Sequence, residues 1–110
     1  MAMLERTLTG NFSAVVQRLH DGVLNGSASA SYEGGTDFTM GTARCAVRMY
    51  ERYSMMGGNR VALSLTVVGD GDQIHVTAIT AGGSQAMFFK INTWGEDAFL
   101  DTLAQVLDQM

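Results

Sequence analysis

Apolar and polar positions change period several times along the chain, and each change marks an element. From Met3 to Thr9, Leu4, Arg6 and Leu8 alternate with Glu5 and Thr7, a two-residue period that predicts an opening edge strand. Phe12, Val15, Val16, Leu19 and Val23 then recur at three- and four-residue intervals, the stripe of an amphipathic helix. Asn11 or Ser13 can cap its start, and Asn25-Gly26 supplies a left-handed stop. From Ser27 to Tyr32, Ala28, Ala30 and Tyr32 alternate with serines, which suits a strand packed closely beneath a helix. Residues Glu33 to Thr42 are rich in Gly and Thr and read as a loop or loose hairpin around Phe38 and Met40.

Three hairpins are expected next, and their registers are constrained because directly opposed residues share a face. Asp70-Gly71 is a strong two-residue turn signal, pairing Val67 with Ile74, Leu65 with Val76 and Leu63 with Ala78. Gly82-Gly83 extends that apolar face by pairing Ala78 with Met87, Val76 with Phe89 and Ile74 with Ile91. Around Gly57-Gly58-Asn59 a three-residue loop sets Tyr53 opposite Leu63, whereas a two-residue loop sets Arg52 there; the former is favoured because it keeps Met49 opposite Val67. Thr93-Trp94-Gly95-Glu96 matches a capping box, followed by a stripe of Phe99, Leu100, Leu103, Val106 and Leu107. The expected fold is α+β, a two-layer sandwich of order β-α-β-β-β-β-α. A five-stranded antiparallel sheet in the order 1-5-4-3-2 has both helices on one face.

Composition narrows the class. At 110 residues one domain, 1–110, is expected, and with 46% hydrophobic residues a single core. Charged residues, at 16%, fall below the usual quarter or so, leaving room for an apolar face beyond that core. A net charge of -4 opposes a phosphate backbone at long range, so nucleic acid is not the expected partner. One cysteine, no charged-then-apolar leader and no long apolar run favour a cytoplasmic location without a membrane association.

The stretches RCAVRMYERYSMMGGN at Arg44 to Asn59, VGDG at Val68 to Gly71 and AITAGGSQAMFFKINTWGE at Ala78 to Glu96 resemble a family of short, functionally uncharacterised bacterial proteins. The element order is similar to the half-repeat of the TATA-binding-protein (TBP-like) fold and, more loosely, to the helix-grip fold of START-type lipid-binding domains. These resemblances imply a layout and bring no site residues.

With the registers above, the sheet face away from the helices carries Arg44, Arg48, Tyr50 and Arg52, then Ala62, Ser64 and Thr66, then His75, Thr77 and Ile79, then Ala86, Phe88 and Lys90. Four of the seven basic residues, Arg44, Arg48, Arg52 and Arg60, thus fall in one hairpin of an acidic chain. Three readings stand. Alternating arginines can simply keep a strand face wet, their stems covering apolar neighbours. Arg44, Arg48, Tyr50 and Arg52, with His75 and Lys90 near one another across the last hairpin, can form an anion or small-ligand site. Ile79, Ala86 and Phe88, with Tyr50, can form a self-association surface.

Other constellations fall short of chemistry. His20, His75 and Cys45 lack metal-ligand spacing, so neither a metal nor another cofactor is expected. Cys45 is read on the core face as a small inert hydrophobe. Gly82-Gly83-Ser84 has no following helix and is a turn, not a phosphate loop. Glu51 is placed toward the helices, either as a functional acid or at the sheet end where that face meets water. No acid, base and nucleophile converge, so an enzyme is not the expected class. A homo-oligomeric domain joined through the outer sheet face is preferred, with a small-molecule binding module as the alternative.

Overall fold

The structure, a computed structural model, describes residues 2–26, 29–53, 60–82 and 89–110 and, of these, all side chains except those of 89–98. The order is β1 (Ala2–Thr9), α1 (Phe12–Asn25), β2 (Ser31–Met40), β3 (Ala43–Tyr53), β4 (Arg60–Asp70), β5 (Gln73–Gly82) and α2 (Phe89–Asp108). One open antiparallel sheet runs β1-β5-β4-β3-β2, the predicted order. Helix α1 lies over β3 and β4, α2 over β5, β1 and β4, and the helices touch each other, so both cover the same face.

The central strands make the floor of the core. Val61, Leu63, Leu65 and Val67 of β4 and Ile74, Val76 and Ala78 of β5 alternate inward and are buried against Leu19, Val23, Phe99 and Leu103 of the helices. Each buried branched aliphatic or phenyl side chain contributes about 1.5–3 kcal/mol relative to exposure. The β4–β5 turn is Gly71-Asp72, with Gly71 at φ 62°, so the pairing is Val67 with Val76, Leu65 with Ala78 and Leu63 with Thr80. This is two residues from the expected register and therefore preserves the same face.

Asn11 is the cap of α1, its Oδ1 accepting from the Ala14 N–H at 2.9 Å. Gly26 is right-handed, at φ -79°, so the left-handed stop expected there is absent. Its lack of a side chain serves the approach of α2 instead. A Cβ on Gly22 would stand 2.5 Å from Val106 Cγ2, and one on Gly26 would overlap Thr102.

Other departures have physical reasons. Strand β2 occupies Ser31–Met40, most of the stretch read as a loop, while Ser27 and Ala28 of the expected strand lie outside the described residues. Pairing with β3 supplies the backbone bonds, and a bulge between Tyr32 and Gly34, with Gly34 at φ 148°, absorbs the extra residue. The run expected as a strand after Gly82-Gly83 is not one where it is described: Phe89–Ile91 belong to α2, and β5 pairs with β1 instead, Ala78 opposite Leu4 and Ile74 opposite Leu8. A short apolar run does not distinguish strand from helix. Thr93 to Glu96 consequently lie inside α2 rather than at its start.

The largest correction concerns β3. Tyr50, not Tyr53, stands opposite Leu63, and Arg52 stands opposite Val61, so Arg44, Ala46, Arg48, Tyr50 and Arg52 face the helices. Cys45, Val47, Met49, Glu51 and Tyr53 face away. The reason is volume: the Tyr50 ring and Ala46 fill space beneath α1 and are buried. The arginine stems run under the helices and bring their guanidinium groups onto rings, Arg44 4.5 Å from the Phe12 centroid and Arg52 4.9 Å from that of Phe99.

Candidate functional site

Two regions concentrate features that the core does not require. The first lies between α1 and the β2 edge, where a cleft of about 300 Å³ is lined by Val16, Gln17, His20, Tyr32, Asp37 and Arg48. The helical period brings Val16 and His20 to this side, and strand alternation brings Tyr32 opposite Tyr50 and Gly35 opposite Arg48. Tyr50, fully buried, packs behind the lining residues His20 and Tyr32, its hydroxyl 2.8 Å from His20 Nδ1. Burial pushes the Tyr50 phenol up to about 12, against the opposing pull of Arg48. The rings of His20, Tyr32 and Tyr50 form a mutual cluster, with centroids 5.2, 5.6 and 5.7 Å apart.

At the mouth, Arg48 donates from Nη1 to Asp37 Oδ1 at 2.7 Å and from Nη2 to Oδ2 at 3.2 Å. Its Nη1 also donates to the Val47 carbonyl at 3.0 Å. The hydrogen bond from Arg48 holds the Asp37 carboxyl below its usual value, and the same bond raises Arg48. Gly35 makes this packing fit, because a Cβ there would meet the Tyr32 hydroxyl, the Arg48 stem and the Val47 carbonyl.

The second region is the sheet face away from the helices. Its rows run Met49, Ser64, Ile79, Met3, then Val47, Thr66, Thr77, Glu5, then Cys45, Val68, His75, Thr7 across β3, β4, β5 and β1. Phe38 joins the last row from β2, opposite Cys45. Met3, Phe38, Met40, Met49, Tyr53, Val68 and Ile79 all lie here and are exposed, Met40 by 75% and Ile79 by 38%. Glu5 takes a hydrogen bond with His75 Nε2 at 3.0 Å and Glu51 accepts from Arg60 Nη1 at 3.0 Å. Glu5 and Glu51 on this face are thus locally paired, while Asp70, at the end of β4, accepts from the Thr42 hydroxyl at 3.2 Å.

The expected ligand set does not converge. Arg44, Arg48, Tyr50 and Arg52 lie on the helix-covered face, while His75 is on the opposite face beside Glu5. Lys90 is in α2, with its side chain outside the described residues. Of the expected interface residues, Ile79 is on the outer face, and Ala86 and Phe88 lie outside the described residues. Cys45 is half-buried on the outer face, not in the core, and Glu51 also points outward. Both follow from the shifted β3 register. Tyr32 and Asp37 of the cleft were missed: the alternation placing Tyr32 toward the helix was visible, but nothing signalled that Asp37 extends the same strand. Among the described residues no group of three or more His, Cys, Asp or Glu could hold a metal ion. None of the described helices is long and apolar enough to cross a membrane.

A family model described as a family of unknown function (DUF6054) matches residues 1–110, and the chain belongs to that family. A search of curated proteins finds no match.

Proposed function

We propose that the chain is a non-catalytic interaction domain that pairs with a second copy of itself, sheet face against sheet face, in a four-layer α/β/β/α dimer. One observation carries this reading. Seven of the nine exposed large hydrophobic side chains among the described residues lie on the one sheet face that neither helix covers. An amphipathic sheet normally buries one face and solvates the other with polar residues; here large hydrophobic side chains stand exposed among the threonines and serines of the second face, and Glu5 and Glu51 are each paired.

Dimension and the apolar residues that a two-fold brings together support a second copy as the occupant. Five strands about 4.8 Å apart and about ten residues long at ~3.3 Å per residue give a face of roughly 20 by 30 Å. That is of the order of the ~800 Å² per side of a standard stable interface. A two-fold axis parallel to β4 sets Ile79 of one copy over Met49 of the other and Val68 over Val68. It sets Glu5 over Thr36 and Glu51 over Ala81, and it brings like charges together at the two ends of β4, Asp70 over Asp70 and Arg60 over Arg60, where the face meets solvent. Edge-to-edge pairing through β2 is disfavoured, because its bulge at Gly34 and its charged Asp37 blunt that edge.

Cys45 reports on this face without any mutation. Its alkylation by a thiol reagent slows as protein concentration rises if the faces pair, because Cys45 sits beside Val68. A rate independent of concentration contradicts the pairing.

A further inference from the structure

The α1–β2 cleft lies on the other side of the sheet and is independent of the interface. Its polar groups form a specific pattern. The buried Tyr50 hydroxyl has His20 Nδ1 as its one hydrogen-bond neighbour among the described residues, and satisfying the buried phenol proton assigns that hydroxyl as the donor to Nδ1. In that tautomer the other His20 ring proton sits on Nε2, a donor that makes no hydrogen bond with the described residues. Beside it Tyr32, 45% exposed, offers an accessible ring held edge-on to His20.

Arg48 and Asp37 complete the set. The Arg48 side chain is only 17% exposed and is fixed by both Asp37 oxygens, whereas the Asp37 side chain is 62% exposed and keeps lone pairs toward solvent. A guanidinium donor and a carboxylate acceptor therefore stand side by side with no net charge. An anion in the cleft meets Asp37, a cation meets Arg48, and neither charge is balanced by the pair. A flat neutral molecule with a ring carbonyl and a ring N–H matches all three elements. Its carbonyl accepts from His20 Nε2–H, its donor–acceptor edge pairs with Asp37 and Arg48, and its face packs on Tyr32. The volume, about 300 Å³, is at the small end of ligand sites, which span roughly 300–1,000 Å³, and suits one fused ring system rather than a nucleotide.

We propose that the cleft of His20, Tyr32, Asp37 and Arg48 binds a small uncharged heteroaromatic ring of the purine-base kind.

The test uses the full chain and hypoxanthine as probe, followed by side-chain NMR of His20 and Tyr32, with benzoate and benzylamine as charged controls. The expected result is a saturable shift of both residues by hypoxanthine alone. Affinity falls roughly tenfold in His20→Phe, which keeps a ring and removes the donor, the loss of about one good hydrogen bond. Asp37→Asn alters an exposed side chain, so it remains informative if His20→Phe fails to fold; a similar loss is expected. The proposal is overturned if hypoxanthine produces no shift up to its solubility limit, if benzoate or benzylamine binds as tightly, or if folded Asp37→Asn binds hypoxanthine as well as the native chain.

Discussion

The Tyr50 hydroxyl and His20 Nδ1 lie 2.8 Å apart, joining the buried middle of β3 to the face of α1 across 30 residues of sequence. Because burial raises the phenol to about 12 from its ordinary 10.0, the folded chain holds this proton more tightly than the unfolded chain. The resulting stability is fully present below pH 10 and is lost as pH rises toward 12. Urea titrations across that window should show a falling midpoint for the native chain. Tyr50→Phe should lack that share of the decline, and at neutral pH it should be about 1 kcal/mol less stable, since His20 loses its donor.

Gly22 lies in the interior of α1, where alanine is ordinarily the better residue by about 0.5–1 kcal/mol. Here the sign should reverse, because the added methyl would meet Val106 Cγ2 at 2.5 Å. Gly22→Ala is expected to lose about 1–3 kcal/mol, the range for overpacking, with a lower thermal midpoint. Adding Val106→Ala removes the obstructing atoms and should recover most of the loss, a coupling that a double-mutant cycle measures.

Arg48 holds the Asp37 carboxyl below its usual value, so this pair stabilises the fold above the unfolded carboxyl pKa, about 4. The contribution disappears as pH falls through the lower folded value. Asp37 is largely exposed, so the effect is small, about 0.2–1 kcal/mol, and weakens with salt. Asp37→Asn should remove this part of the acid dependence in denaturant titrations at low ionic strength and change little in strong salt.

The legible parts of the fold are those where one physical signal acted alone. The stripe from Phe12 to Val23 fixes α1, and the alternation in β4 and β5 fixes the core face even with the pairing two residues off. Strand β3 was not legible because both its faces carry apolar residues, Ala46 and Tyr50 on one, Val47 and Met49 on the other. Its face was decided by the fit of a tyrosine ring beneath α1, which alternation does not encode. The cleft was hidden for the same reason, since bringing Arg48 to His20 requires that register. Residues 33–40 show propensity overruled by pairing, Gly34 and Gly35 being carried in a strand by the bulge and the neighbouring β3.

The most direct test of the sheet-to-sheet dimer is sedimentation equilibrium of the native chain beside Ile79→Lys and Ala14→Lys. Ile79 sits on the outer face, whereas Ala14 is exposed on α1, so the two variants add the same charge on opposite sides. A native dimer that Ile79→Lys converts to a folded monomer, with Ala14→Lys still dimeric, is the expected result. A native monomer at all concentrations, or an Ile79→Lys dimer as tight as the native one, would contradict the interface.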